Sequence, residues 1–347
     1  MASSESGGLS YRDAGVDREA AGRAKDRIIE LVRGTLGPEV LSRPGSFGGI
    51  YRVPTDLATP ALVASADGVG TKLKVAIMAG KHDTVGRDLV NHCVDDILVE
   101  GARPLFFLDY IGMGRLAQGT VEALVSGMAA ACRENGAALL GGETAEMPDF
   151  YAEGDYDLAG FIVGAVEAEN RPGAHRVQAG DVLVGLASDG FHTNGYSLLR
   201  RLLFDKLRLG LDDELPGVGL PVGEVLLAVH RSYLRPVMPL LQAGRVKALA
   251  HITGGGIPEN LARVLPEGVE AHVQRSTWEM PLEFEAVQEL GGISDEEMYR
   301  TFNMGVGMIL VVAAEDEVDV SAQLRAAGED AWGLGVLEPG DGGVLLI

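Results

Sequence analysis

The feature that most constrains the fold is a short apolar run that leads into an acidic, glycine-rich turn. The run covers residues 60–64, and the chain continues through residues 64–73 as ASADGVGTKL. An apolar run this short is typical of a buried strand, so Asp67 falls where the strand is predicted to end. Gly68 and Gly70 would let the backbone turn sharply and approach a ligand closely.

The residue types in this turn favour phosphate as the ligand. Thr71 adds a hydroxyl, Lys72 adds an ammonium, and the turn exposes backbone N–H groups. The spacing differs from the P-loop pattern G-x-x-x-x-G-K-[ST], which occurs nowhere in the chain. The alternative interpretation is an ordinary strand-to-helix turn without a ligand.

Several further segments follow the same strand-and-helix pattern. A helix is predicted to run from Asp17 to Arg33, and residues 45–50 are predicted to form a loop. Strands are predicted at residues 104–109, 137–140 and 160–166, with Leu73–Met78 continuing as apolar structure. A helix over residues 120–135 is predicted to end at Gly136.

A helix predicted over residues 84–100 has two different sides. At 100° per residue, one stripe is apolar, and the opposite stripe carries Asp88, Asn91, His92 and Asp95. Asp96 falls at the edge of the apolar stripe, where an unpaired carboxylate would be costly to desolvate.

Acidic residues are predicted at the ends of three strands in this half. They are Asp67, Asp109 and Glu143, and Asp96 adds a fourth acid from the helix. Such a set can converge on a metal ion, and the alternative for each acid is a helix cap or a solvated strand end.

Two glycine-rich turns in the second half resemble the first in design. Strands predicted at residues 181–187 and up to about residue 252 lead into SDGFHTNGYSLLR and HITGGGIPEN, each followed by a helix. A helix N-terminus with free N–H groups favours an anion. The candidate residues are Asn194, Gly195, Gly254, Gly255 and Gly256.

The chain length and the positions of turn-forming residues predict an α/β protein of two domains. The chain has 347 residues, which is more than one core comfortably supports. Polar and turn-forming residues at 168–180 mark the predicted boundary. The expected division is a flexible tail at 1–9, a first domain at 10–170 and a second at 171–347.

Charge and cysteine content narrow the function classes. A net charge of −21 would repel nucleic acid and anionic membranes. No apolar run is long enough to span a bilayer. Cys93 and Cys132 do not form a C-x-x-C motif, so we expect a cytoplasmic protein without a zinc–cysteine site.

Eight motifs together resemble one family of enzymes. They are SYRDAGVD, SADGVGTKL, GRDLVNHCVDDILVEGARPLFFLDY, GGETAEMP, DYDLAGF, SDGFHTNGYSLLR, HITGGGIPEN and EEMYRTFNMGVGM. In order and spacing, this set is similar to the phosphoribosylformylglycinamidine cyclo-ligases, which are the aminoimidazole ribonucleotide synthetases of purine biosynthesis.

The resemblance implies a homodimer that binds ATP and Mg²⁺ in its N-terminal domain. Its strands would meet those of the partner, with a C-terminal α/β domain packed beside them. ATP would phosphorylate the formamide oxygen of formylglycinamidine ribonucleotide, an amidine nitrogen would close the imidazole ring, and ADP and phosphate would be released.

The resemblance also implies roles for the candidate residues. Metal ligands would be Asp67, Asp96 and Glu143, and the phosphate cradle would be Gly68, Gly70, Thr71 and Lys72, with Asp109 as a further nucleotide contact. His192 would be the general acid or base, since imidazole titrates near neutral pH; the alternative is a histidine that only hydrogen-bonds within its turn. Asn194, Gly195 and Gly254–Gly256 would contact the substrate.

Some positions depart from the family pattern or allow rivals. The lysine-rich first helix of many members reads DRIIELVRG here, and Lys25 is out of register. His251 and Asn303 match the family without an assigned role. Relatives with the same fold include thiamine-phosphate kinase, a hydrogenase maturation factor, formylglycinamidine ribonucleotide synthase and selenophosphate synthetase, although the last needs a Cys near its N-terminus and the first 92 residues have none. A catalytically silent nucleotide-binding relative is a further alternative.

Overall fold

The computed structural model describes residues 27–347. The predicted helix start at Asp17, the 1–9 tail and the SYRDAGVD motif lie outside these residues. Residues 27–33 form the first described helix, α1, which ends at Arg33 as predicted. Residues 45–50 form no helix or strand, in agreement with the predicted loop.

The first sheet has four strands in the order β1-β4-β2-β3. Strands β2 and β3 are parallel, and the other two pairings are antiparallel. The strand bounds are β1 (Pro60–Asp67), β2 (Arg103–Met113), β3 (Ala138–Glu146) and β4 (Tyr156–Glu167).

Three helices accompany this sheet, namely α2 (Lys72–Ala79), α3 (Asp83–Leu98) and α4 (Gln118–Asn135). Helices α3 and α4 pack against each other and against the strands. Gly136 ends α4 with a φ of 67°, as its C′ position predicts. The segment after the first glycine-rich turn, predicted only as apolar structure, is therefore the helix α2.

The second sheet has six strands in the order β10-β7-β9-β5-β8-β6. Only the β10–β7 pair is parallel. Its strands are β5 (Val182–Ala187), β6 (Val246–His251), β7 (Val269–Val273), β8 (Val306–Val312), β9 (Ala331–Pro339) and β10 (Val344–Leu346). Every residue of β8 is buried, which fits its unbroken apolar sequence.

Seven helices belong to this second half. They are α5 (Tyr196–Arg200, continued by a π-helical turn to Lys206), α6 (Val222–Leu226), α7 (Leu234–Gln242), α8 (Gly256–Ala262), α9 (Leu282–Gly291), α10 (Asp295–Thr301) and α11 (Glu317–Ala326). The two sheets with their helices confirm the predicted two-domain α/β class.

Two of the three predicted strand-end acids are misplaced. Only Asp67 ends its strand; β2 runs four residues beyond Asp109, and β3 runs three residues beyond Glu143. The physical reason is strand pairing, because β2 and β3 stay in register with each other out to Met113 and Glu146. Two glycines followed by an acid do not end a strand when a neighbouring strand is still available for backbone hydrogen bonds.

Close packing of α3 and α4 depends on glycine at the crossing. A Cβ atom built on Gly127 would lie 2.0 Å from the carbonyl oxygen of Asp83, and one on Gly86 would lie 2.3 Å from that of Leu124. Any side chain at either position would push the helices apart, and α3 carries most of the polar groups described below.

We expect Gly127→Ala to lower the free energy of unfolding by about 1–3 kcal/mol, because the added methyl group meets backbone that cannot move aside. Gly119→Ala in the same helix is the matched control, since nothing lies within 4 Å of its Cβ position; it should be neutral or stabilising by up to about 1 kcal/mol. Urea denaturation followed by circular dichroism measures both. Equal stability of the two variants would show that the crossing tolerates a side chain.

Candidate active site

The candidate site lies where α3 meets the C-terminal domain. The polar stripe of α3 is buried, with Asp88 and Asp95 fully shielded from solvent. Asp88 Oδ1 accepts a hydrogen bond from the backbone N–H of His230 at 2.7 Å, and Asp95 Oδ1 accepts one from that of Tyr233 at 2.9 Å. Asn91 donates to the carbonyl of His230 at 2.7 Å. The polar side of this helix therefore binds backbone of the second domain instead of water.

Lys72 contributes to the same junction. Its Nζ lies 2.8 Å from Asp88 Oδ2, and both side chains are fully buried. The ammonium also donates to the carbonyls of His192 and Ala228 at 3.0 and 2.6 Å. Burial lowers the pKa of Lys72 and raises that of Asp88, while the contact between them opposes both shifts. The predicted phosphate contact of Lys72 is not formed by this arrangement, since its donors already have partners inside the protein.

The first glycine-rich turn faces two turns of the second domain. Gly70 has a φ of 54°, and the hydroxyl of Thr71 lies 3.0 Å from that of Ser197. Across the gap, a Cβ atom on Gly254 would lie 3.4 Å from Asn194 Oδ1. Asp67, Gly70, Thr71 and Gly254 are exposed, and we call the surface between these turns the cleft.

The remaining predicted residues of these turns border the same cleft. Gly68 and Gly195 are half-buried, and the amide nitrogen of Asn194 is buried without a hydrogen-bond partner among the described residues. Gly255 and Gly256 have φ values of 93° and 61°, and they form the start of α8. Only glycine fits at Gly256, where a Cβ atom would lie 1.8 Å from the carbonyl of Tyr299.

Asp67 and Asp96 are joined through two histidines. Asp67 Oδ2 lies 2.7 Å from Nε2 of His92, and Asp96 Oδ1 lies 2.9 Å from Nδ1 of His251. His92 Nε2 is also 3.8 Å from Asp96 Oδ2. Although burial opposes it, the hydrogen bond from His92 lowers the pKa of Asp67, and the bond from His251 does the same for Asp96. Both carboxylates therefore stay ionised beside the cleft.

His192 lies behind this cleft. Only 1% of the residue is exposed, its φ is 56°, and its ring stacks on that of His230 with centroids 4.0 Å apart. The backbone N–H of Asp189 donates to Nε2 at 3.2 Å. Burial and the neighbouring charges of His251 and Lys72 hold the pKa of His192 well below its usual range. The ring is therefore neutral and shielded, and its role as general acid or base stays a prediction.

Asp109 and Glu143 form a separate group at the far side of the first sheet. Both line a cavity of about 570 Å³ together with α1 and residues 42–49. Burial and the nearby Glu143 raise the pKa of Asp109 to about 7. Asp67 and Glu143 lie on opposite edge strands, three inter-strand spacings or roughly 14 Å apart. One ion within a single chain cannot bind both, so the structure does not bring the predicted set of Asp67, Asp96 and Glu143 together.

Sequence reasoning missed two histidines of this site. Periodicity puts His92 on the polar stripe of α3 but indicates no function for it, and no sequence motif points to His230. The two rings lie 5.1 Å apart. The available signal was the spacing of residues 88, 91, 92 and 95, which puts four polar side chains on one face of a helix. A face of that kind can bind a second domain as well as water.

Family models and similar proteins identify the family of the chain. The model described as AIR synthase related protein, N-terminal domain, matches residues 48–166, and its C-terminal counterpart matches residues 178–347. A phosphoribosylformylglycinamidine cyclo-ligase from Methylobacillus flagellatus is 51% identical over 96% of this chain and 95% of its own. The chain belongs to the phosphoribosylformylglycinamidine cyclo-ligase family. A member from Trichlorobacter lovleyi is 48% identical over 94% of this chain and 93% of its own.

Solved structures at lower identity share the fold of this family. Thiamine-monophosphate kinase from Stenotrophomonas maltophilia superposes with a TM-score of 0.68 at 20% identity, covering 92% of this chain and 95% of its own. Hydrogenase maturation protein HypE in complex with ATP gives 0.63 at 20% identity over 92% and 87%. Within residues 27–347, no helix combines the length and apolar character needed to cross a membrane.

We expect Lys72→Met to destabilise the protein by about 3–5 kcal/mol, because it leaves Asp88 charged, buried and unpaired. The double variant Lys72→Met/Asp88→Leu should regain part of that loss, since an apolar pair has no charge to desolvate. Lys74→Met is the matched control: Lys74 pairs with Asp155 at the surface, where an ion pair contributes about 1 kcal/mol or less. Urea denaturation compares the three variants. A cost at Lys72 no larger than at Lys74 would contradict the structural role.

Proposed function

We propose that this chain catalyses the ATP-dependent closure of formylglycinamidine ribonucleotide to 5-aminoimidazole ribonucleotide. The observation that carries the proposal is near-complete coverage by cyclo-ligases at about 50% identity, together with a cleft that aligns Asp67, Asp96 and the glycine-rich turn. ATP phosphorylates the formamide oxygen, an amidine nitrogen attacks that carbon, and the phosphate leaves with the oxygen. ADP and phosphate are the other products.

The residues of the cleft suit phosphoryl transfer, which depends mainly on positioning and on charge neutralisation. The backbone N–H groups of Gly68 and Gly70 and the hydroxyl of Thr71 would hold phosphate oxygens. Asn194 and Gly195, with Gly254–Gly256 opposite, would hold the substrate. Lys72 would act indirectly, because its hydrogen bonds to the second domain hold the turn in place.

Mg²⁺ fits the two ionised carboxylates at this cleft. Asp67 is exposed on 46% of its side chain and Asp96 on 24%, so both can offer oxygen ligands to an ion that arrives with ATP. When bound, Mg²⁺ would neutralise phosphate charge. Glu143 and Asp109 are too remote for the same ion in one chain, and we propose nucleotide contacts for them only from the separate cavity.

The open face of the first sheet supports a homodimer. Leu62 is 66% exposed and Phe161 is 45% exposed, and the neighbouring outward positions Ala64 and Ala66 are apolar as well. The opposite face is covered by α3 and α4. A second copy is the partner that the family resemblance implies for this face. We also propose a cytoplasmic location, in which the free thiols Cys93 and Cys132 stay reduced.

We expect Asp96→Asn to lower turnover by about 100-fold or more, because the cleft loses one of its two carboxylates for the ion. Purified protein is mixed with formylglycinamidine ribonucleotide, ATP and Mg²⁺, and the aminoimidazole product is followed colorimetrically beside ADP. Asp212→Asn, at an exposed position, is the control and should keep full activity. Full activity of Asp96→Asn would refute the metal assignment, and ATP binding without product in the wild type would favour a kinase-like relative.

The dimer is tested by Phe161→Asp, which puts a charge in the centre of the open sheet face. We expect light scattering at micromolar concentration to give the mass of a dimer for the wild type and the mass of a monomer for the variant. The reason is that a buried unpaired charge is costly. Leu282→Asp, at another exposed apolar position, should leave the mass unchanged. A monomeric wild type would contradict the proposed homodimer.

A further inference from the structure

Four side chains of the cleft form a cluster that mixes nitrogen and oxygen ligands. We define the imidazole–carboxylate cluster as His92, His251, Asp67 and Asp96. His92, Asp96 and His251 each offer a ligand atom within 4.8 Å of the others, and Asp67 lies 2.7 Å from His92 Nε2. They come from different parts of the fold: Asp67 ends β1, His251 ends β6, and residues 92 and 96 lie one turn apart on α3.

We propose that, in the absence of nucleotide, the imidazole–carboxylate cluster binds a first-row transition cation such as Zn²⁺ or Co²⁺ between the two domains. This inference deepens the proposed function, because Asp67 and Asp96 are the carboxylates assigned there to Mg²⁺. Imidazole nitrogen suits Zn²⁺ and Co²⁺, whereas Mg²⁺ prefers oxygen donors alone. The two histidines would therefore give the nucleotide-free cleft a different metal preference from the cleft that holds ATP.

The spacing of three of these side chains, His92, Asp96 and His251, suits such an ion. Two nitrogens face the Asp96 carboxylate: His92 Nε2 lies 3.8 Å from Oδ2, and His251 Nδ1 lies 2.9 Å from Oδ1. Ligands about 2.0–2.2 Å from a tetrahedral ion lie roughly 3.3 Å from one another, which is within this range. The rings of His92 and His251 meet edge to face at 70°, and one nitrogen of each lies within 4.8 Å of the other and of an Asp96 oxygen.

The groups around the cluster can accept one proton from each histidine and so leave free the lone pairs that a metal needs. His92 Nδ1 lies 2.9 Å from the hydroxyl of Thr193, and His251 Nε2 lies 3.1 Å from His230 Nε2. His230 Nδ1 is in turn 3.4 Å from Thr193 Oγ1. If His92 and His230 each donate from Nδ1 to Thr193, and His251 donates from Nε2 to His230, all three rings are neutral. His92 Nε2 and His251 Nδ1 are then free lone pairs that face the carboxylates.

Among arrangements in which all three rings are neutral, hydrogen-bond counting favours the metal-bound one. Without an ion, His92 Nε2 and His251 Nδ1 must carry the protons that reach Asp67 and Asp96. His230 then donates to His251, which leaves His92 Nδ1 and His230 Nδ1 competing for the single hydroxyl proton of Thr193. With an ion, every N–H of these three rings has an acceptor. Support of this kind around metal ligands orients them and raises affinity.

The carboxylates are supported in the same way. Asp96 Oδ2 accepts a hydrogen bond from Ser65 Oγ at 3.1 Å, and Asp67 Oδ1 accepts one from the N–H of Gly68 at 2.7 Å. Each therefore keeps its other oxygen for the cluster. An ion bound here would join β1 and α3 to β6 across the domain junction.

Cobalt binding to the full chain tests the inference without substrate or nucleotide. The protein is stripped with a chelator and titrated with Co²⁺, whose visible absorption reports nitrogen ligands, and Zn²⁺ is then added in competition. We expect wild-type Co²⁺ affinity at least about 10-fold above Mg²⁺ affinity, with displacement by Zn²⁺. His92→Gln and His251→Gln should each lower Co²⁺ affinity by about 10-fold or more and change Mg²⁺ affinity far less. His272→Gln, outside the cluster, is the control.

The results of these titrations distinguish a metal site from a network of hydrogen bonds. A wild type that binds Co²⁺ no more tightly than Mg²⁺, or equal Co²⁺ affinity in His92→Gln and His272→Gln, would show a hydrogen-bonded network only and overturn the inference. Far-ultraviolet circular dichroism of the metal-free variants checks that they fold. If a variant does not fold, the visible Co²⁺ spectrum of the wild type, with its nitrogen-ligand signal, decides the question alone. Because no substrate is present, a negative result leaves the cyclo-ligase assay untouched, and failure of that assay leaves metal binding untouched.

Discussion

The burial of the polar side of α3 is the constraint on which the rest of the structure depends. A helix with one apolar and one charged stripe normally leaves the charged stripe in water. Here both stripes are buried, so the carboxylates of the polar stripe need partners inside the protein. Asp88 takes Lys72 and a backbone N–H, and Asp95 takes the N–H of Tyr233. These bonds fix the second domain against the first.

That constraint explains the position of the two glycine-rich turns. Lys72 begins the helix that follows the first turn, and its ammonium donates a hydrogen bond to the carbonyl of His192, which lies within the second turn. The turns are therefore linked through a buried ion pair instead of through a ligand. A cleft bounded by such turns keeps its shape when empty, which suits a reaction that depends on positioning.

Local patterns in the sequence predicted the elements well because their causes are local. The helix end at Gly136 and the strand end at Asp67 each follow from a residue's own propensity and its immediate neighbours. The same reasoning failed for Asp109 and Glu143, because strand length depends on the partner strand. Their separation from Asp67 follows from the strand order β1-β4-β2-β3, which no local pattern contains.

The candidate site was predicted in part for the same reason. Asp67, Asp96, Asn194 and the glycines could be found because each belongs to a motif contiguous in sequence. The periodicity of α3 identified which residues oppose the apolar stripe, but it could not tell whether that side meets water or another domain. His230 is 138 residues from His92 in the sequence and one hydroxyl away in the fold, through Thr193. Only the packing of the two domains joins them.

The charge balance of the cleft follows from the same packing. The chain carries a net charge of −21, and its substrates are themselves anionic, so binding needs local positive charge. Lys72 cannot supply it, since Asp88 neutralises the ammonium inside the protein. Burial lowers the pKa of His92, but the hydrogen bond to Asp67 and the nearby Asp96 outweigh burial and raise it. A positive charge on His92 would be balanced by these same two acids. Among residues 27–347, backbone N–H groups and a metal cation held by the two ionised carboxylates can supply positive charge at the cleft.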